Sequence, residues 1–232
     1  GVEWCSSRAR CDGAEVLVEC GGDSGQVAEI VFIEGVDDPA PHSRNMVGRS
    51  PALGQGPADV LLHVPLEAAL MRSNPGVQIV APYFRERLAL ARNRERVPQA
   101  QSRADFAGQK VAVAGHSLAS WLLGSVEGGA WREQLVTSWR DGTLAARALE
   151  RGEVGAAAGL RSELESVLGG DARFAIDALP VPRLREGWAI GCAMRRESTD
   201  LAQALEGAVG TLAGNGELAR IFAKARLTWQ PP

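Results

Sequence analysis

Lysine is nearly missing from this chain. Only Lys110 and Lys224 occur, and every other cation is arginine. That bias reads as the imprint of GC-rich coding, not as a phosphate-binding device. There is no excess of positive charge either: 25 basic against 28 acidic residues leave a net charge of −3. Surfaces that bind nucleic acid are as a rule strongly basic, so no nucleic-acid partner is expected. No apolar run approaches the roughly 18–20 residues that a bilayer-spanning helix needs, so the chain is not expected to span a membrane. Histidine occurs at 42, 63 and 116 and nowhere later, and tyrosine only at Tyr83. The cysteines, Cys5, Cys11, Cys20 and Cys192, lack the two-residue gaps of a zinc knuckle.

What is present is an ordinary globular composition, 45% apolar and 23% charged over 232 residues. That is enough for one large domain or two small ones. Gly1 opens the chain without a basic-then-apolar leader, which reads as a signal peptide removed or never present. Three cysteines within an irregular N-terminal stretch suit a disulfide in an oxidising compartment, with Cys5–Cys11 the favoured pair. Cys192, in the small-residue run Gly191-Cys192-Ala193, is expected as a buried thiol. Residues 1–26 give no clear pattern.

From Val27 onward, strand-like and helix-like stretches alternate. Strands are expected at Val27 to Ile33, Asp59 to Val64, Val77 to Val80, Leu88 to Ala91, Lys110 to Ala114, Val154 to Gly159, Phe174 to Leu179 and Trp188 to Met194. Helices are expected at Ser43 to Leu53, Leu66 to Met71, after Gly115 to Leu123, from Asp141 or Thr143 to Arg151, at Ser162 to Leu168, and after Ser198-Thr199-Asp200. This is an α/β fold with mainly parallel sheets. Polar segments near 93–102 and 180–186 enclose a central block. The expected organisation is therefore two lobes on a two-segment hinge: 1–95 with 184–232 as lobe 1, and 96–183 as lobe 2. The mixed-sign runs Arg85-Glu86-Arg87 and Arg92-Asn93-Arg94-Glu95-Arg96 read as solvated faces.

Several segments then resemble one family in order and spacing. They are Gly56-Pro57-Ala58-Asp59-Val60, Ala81-Pro82-Tyr83-Phe84, Ala104-Asp105-Phe106-Ala107-Gly108-Gln109-Lys110-Val111-Ala112-Val113, Arg151-Gly152-Glu153-Val154-Gly155-Ala156, and Ser198-Thr199-Asp200-Leu201 with Gly214-Asn215-Gly216-Glu217-Leu218. Over about Val27 to Ala225 the chain resembles the type 2 periplasmic solute-binding proteins, in particular the amino-acid-binding branch. The resemblance implies a periplasmic monomer, not an enzyme, that closes around a small solute and delivers it to an ABC permease. It also implies an arginine for the substrate carboxylate, where this chain has Ser73 beside Arg72. A carboxylate for the α-ammonium group falls on Leu160, beside Arg161. An ammonium left facing leucine forfeits a charge-assisted partner worth about 1.5–3 kcal/mol, so an anionic or carboxylate-bearing solute is expected in place of an α-amino acid. Cys5 and Val64-Pro65 also resemble binding-protein-like accessories of periplasmic quinoprotein dehydrogenases, notably methanol dehydrogenase. That implies a role in protein docking, although Ala58 stands where that subgroup often has a second cysteine.

Gly115-His116-Ser117-Leu118-Ala119 approaches the nucleophile elbow of α/β-hydrolases, but no histidine follows Ser117 to serve as its base, and Ala119 replaces the second glycine. The better reading is a helix N-terminus whose N–H groups and Ser117 hydroxyl hold an anion, against Ser117 as a plain cap. His63 and His116, each at a strand end, are expected to line the cleft. Without a placed carboxylate they make no metal site, and no cofactor is expected. Arg72 and Arg161 are candidate carboxylate partners and Trp188 a candidate stacking surface, with solvated arginines and a core tryptophan as the plain alternatives.

Overall fold

The computed structural model describes residues 59–181, 184 and 186–232, together with the backbone of 5–11 and 14–20. The expected strand at Val27 to Ile33, the helix at Ser43 to Leu53 and His42 lie outside the described residues. In chain order the elements are β1 (Cys5–Cys11), β2 (Ala14–Cys20), β3 (Val60–Pro65), α1 (Ala68–Ser73), β4 (Val77–Glu86), β5 (Leu88–Asn93), β6 (Val111–Ala114), α2 (Leu118–Ser125), β7 (Leu135–Trp139), α3 (Gly142–Glu150), β8 (Ala156–Leu160), α4 (Arg161–Leu168), β9 (Phe174–Ala178), β10 (Trp188–Arg195), α5 (Thr199–Gly214) and α6 (Glu217–Lys224).

The chain divides into two compact units: 1–82 with 191–221, and 83–190 with 222–232. The boundaries expected at 95/96 and 183/184 therefore move outward. β5 belongs wholly to the second unit, because it pairs with both β8 and β9 in that unit's sheet. The polar segment after it is not a crossing. Val97 is fully buried there, and Arg92 donates to the Val97 and Pro98 carbonyls at 2.8 and 2.7 Å. The mixed-sign runs are not solvated faces throughout either. Arg92 is paired with Asp177 at 2.6 Å, Arg96 donates to Gly152 and Val154 carbonyls, and Glu86 is buried.

In the first unit β10 lies between β3 and β4. The Arg196 N–H donates to Gly76 and Arg195 reaches Asp59 at 2.9 Å, so the end of β10 meets the starts of both neighbours. β10 thus runs antiparallel to both β3 and β4, so the described strands of this unit form an antiparallel sheet and not the mainly parallel one expected. Val64, Val77, Ile79 and Ala193 form its core, with Leu66, Leu70 and Met71 bringing α1 onto it.

β1 and β2 form an antiparallel hairpin in which Cys5 stands opposite Cys20 and Cys11 opposite Ala14. Cys5–Cys11 is thereby overturned as a pair: they are the two ends of one strand, about 20 Å apart at about 3.4 Å per residue. A disulfide needs Cα atoms about 4.4–6.8 Å apart. Cys192 is a buried free thiol, as expected, and burial pushes its pKa up to about 11.

The second unit is a five-stranded sheet in the order β7-β6-β8-β5-β9. β6 is parallel to β7 and β8, while β5 is antiparallel to β8 and β9. Its central strands are buried at consecutive positions, as a sheet covered on both faces requires, and successive side chains alternate between two cores. Leu90, Val111, Val113, Ala156 and Ala158 face one core with Phe106, Leu123 and Trp131. Ala89, Ala91, Ala112 and Ala157 face the other, where Ala145, Ala146 and Leu149 of α3 and Leu164 of α4 cover them. The alanines leave room for α3 to lie close on the sheet. Phe84 stacks on Phe222 at 4.7 Å, which secures the C-terminal tail to the same unit.

Candidate functional site

Three helices begin at the carboxyl edge of the parallel strands in the second unit. α2 follows β6, α3 follows β7 and α4 follows β8. Ligands of open α/β sheets bind outside this edge, because it collects unpaired helix N–H groups and the positive ends of helix dipoles. The three starts are finished differently.

At α2, Ser117 is the N-cap. Its hydroxyl accepts from Ser120 N–H at 3.2 Å and donates to the Ala114 carbonyl at 2.8 Å. Its single hydrogen is used by the chain itself, so the hydroxyl's role is to hold the helix start. The N–H groups of Leu118 and Ala119 find no acceptor among the described residues. Beside them His116 and Leu118 are exposed, and Trp121, one turn on, is 66% exposed. Trp131, further along the chain, is fully buried in the core.

At α3, Asp141 caps Leu144 N–H at 2.8 Å. The start is also filled by a carboxylate of the protein. Glu163 accepts from Gly142 N–H at 3.2 Å and from Leu160 N–H at 3.0 Å, joining the starts of α3 and α4. Burial raises its pKa, and those two N–H donors act against the rise. Gly142 must be glycine for this: a Cβ there would stand 2.2 Å from Glu163 Oε2. Sequence reading passed Glu163 over. Its one local signal is the position three residues after an N-cap, where a glutamate often reaches back to the cap N–H. Nothing local announces Gly142, 21 residues away.

The other expected site residues are dispersed. Arg161, on α4, is held by Glu165, whose second oxygen accepts from Thr228 N–H at 2.7 Å. It is thus a structural tie. Trp188 packs half-buried on the Leu90–Val111 core. In the first unit, His63 sits near the carboxyl end of β3 with a positive φ of 63°. Arg72 sits at the other edge of that sheet. It ends α1 and lines an open pocket of about 520 Å³ with Ala68, Met71, Pro75 and Arg196, by the start of β4. The fold thus brings His116 and Ser117 together and keeps Arg72 away from His63. Among the described residues no group of three or more histidine, cysteine or acidic side chains could hold a metal ion, and no helix is long and apolar enough to cross a membrane.

No protein-family model and no curated protein sequence matches the chain. Solved structures do. An ancestral cationic amino acid solute-binding protein superposes with a TM-score of 0.58 at 13% identity, over 75% of this chain and 72% of that one. An amino acid ABC transporter substrate-binding protein from Streptococcus pneumoniae, bound to L-arginine, gives 0.56 at 17% identity, over 75% and 70%. A histidine kinase sensor domain with similarity to periplasmic binding proteins gives 0.50 at 19%, over 75% and 72%. At such identities the likeness is one of fold: the chain has the α/β architecture of type 2 periplasmic binding proteins.

Proposed function

We propose that this protein is the solute-binding component of an ABC importer in the periplasm, and that it takes a small solute through a carboxylate or other anionic group at the start of α2. One observation carries the reading. Of the three helix starts at the carboxyl edge, that of α3 gives Gly142 N–H to Glu163 and Leu144 N–H to Asp141, and that of α4 gives Arg161 N–H to the Arg87 carbonyl, while the N–H of exposed Leu118, beside exposed His116, finds no acceptor among the described residues. A helix end contributes roughly half a positive charge, and the Leu118 N–H gives it direction. Ser117 positions that donor. Arg161, spent on Glu165, and Arg72, in the other unit, are not needed for this grip. Docking on a quinoprotein dehydrogenase draws no support from the likenesses above.

Calorimetric titration of the purified chain with L-amino acids, the matching deaminated carboxylates and the matching amines tests this. At least one carboxylate-bearing compound should bind with a Kd of about 1 mM or tighter, roughly −4 kcal/mol or better, and its amine should not. Binding of amines alone, or of nothing, would sink the reading.

A further inference from the structure

The chain changes unit three times, after Pro82, after Ile190 and after Ile221. β4 makes the first of these changes. It does so through Ala81, held at a φ of 50°, and Pro82. A left-handed φ is uncommon for alanine and bends the strand there. Beyond the bend, residues 83–86 belong to the second unit but to none of the five strands of its sheet. β4 stands at the edge of the three-stranded sheet, with β10 on one side.

The segment after α6 meets its other side. The Trp229 indole N–H donates to the Tyr83 carbonyl at 2.8 Å, and Phe222 stacks on Phe84. Arg85 donates its main-chain N–H to the Gln230 carbonyl at 3.0 Å and its Nε to the Pro231 carbonyl at 3.4 Å. The segment is itself anchored on α4. Glu165 is 5% exposed: one oxygen takes the Arg161 guanidinium, and the other accepts from Thr228 N–H at 2.7 Å. A carboxylate taking a main-chain N–H makes one of the stronger hydrogen bonds. Just before it the chain turns at Arg226, φ 61°, and Leu227 N–H closes back on the Phe222 carbonyl at 3.0 Å. Gly169, which ends α4, leaves room for that turn, since a Cβ would stand 2.7 Å from the Arg226 carbonyl oxygen.

We propose that residues 227–231 are a strap that closes the open edge of the crossing strand, with Glu165 as its fastening. The strap lifts as a local unit, opening the edge at Arg85 while both sheets stay intact. It thereby sets how firmly β4 is held where the chain changes unit. The junction further on does not depend on it: Arg161 N–H donates to the Arg87 carbonyl at 2.9 Å, and Leu88 pairs with Leu160 in the five-stranded sheet.

Native-state hydrogen exchange of the full chain, corrected for intrinsic rates, reads the strap at the amides it closes. In the wild type, Arg85 and Thr228 should share one opening and exchange faster than the amides of β5 and β8. Glu165→Ala removes the fastening and should lower Arg85 protection about tenfold, the usual weight of a hydrogen bond to a charged group. Trp229→Phe removes the indole donor and should lower it about fivefold. In both variants the β5 and β8 amides should change less. An Arg85 amide that keeps its protection in either folded variant, or falls no further than those of β5 and β8, would overturn the strap. Should E165A not fold, W229F decides alone. None of these readouts requires a solute, so failure here is separate from failure of the proposed solute binding.

Discussion

At the scale of single residues, Ser117 shows how a hydroxyl is spent. Its hydrogen goes to Ala114 and its lone pair receives Ser120 N–H, so it fixes the start of α2 from both sides. Ser117→Ala should cost about 1 kcal/mol of stability, the usual worth of an N-cap, visible as a lower urea midpoint. Solute affinity should change less than threefold, because the donor assigned to the solute is a main-chain group. A binding loss well beyond threefold with stability kept would show that the hydroxyl itself meets the solute. Glu86 makes the same point about local reading. Between Arg85 and Arg87 it looks like part of a solvated charge run, and only the fold reveals that Glu86 is buried while Arg85 turns to the Pro231 carbonyl and Arg161 to Glu165.

At the scale of elements, the contacts that matter join segments far apart in the chain. Gly142 and Glu163 fit as a pair. Gly142→Ala drives a methyl into the Glu163 carboxylate and should destabilise by about 1–3 kcal/mol, the usual cost of forcing an extra carbon into a packed site. Combining it with Glu163→Ala should recover part of that loss, a coupling readable in a double-mutant cycle by denaturant unfolding. Strict additivity would mean that the two do not meet. The N-terminal hairpin carries a covalent prediction. Directly opposed residues of an antiparallel pair have Cβ atoms about 4.5–5.5 Å apart, near enough for a bridge after small adjustment. Oxidised protein should give a Cys5–Cys20 linkage on non-reducing peptide mapping, with Cys11 and Cys192 alkylated. A Cys5–Cys11 or Cys11–Cys20 peptide would contradict the register.

At the scale of the whole molecule, alternating strands and helices made the α/β architecture legible. KVAVA, the small-residue run before Leu160 and WAIGCAM all became strands close to where their patterns put them. The unit boundaries were not legible. Residues 93–102 have the polarity and proline of a linker, but their polar groups are satisfied inside the second unit by Arg92 and by burial of Val97. The site was legible by half. Gly115-His116-Ser117 announced a helix start after a buried strand, whereas Glu163 acts through a glycine that only folding brings to it, and Arg72 went to the opposite edge because α1 runs back along the sheet. The central claim concerns a main-chain N–H group at the start of α2, so amide resonances test it most directly. Titrating ¹⁵N-labelled protein with the carboxylate panel should produce saturable shifts centred on Leu118. Saturable shifts confined to Arg72 and Arg196, or no saturable shift with any compound, would contradict it.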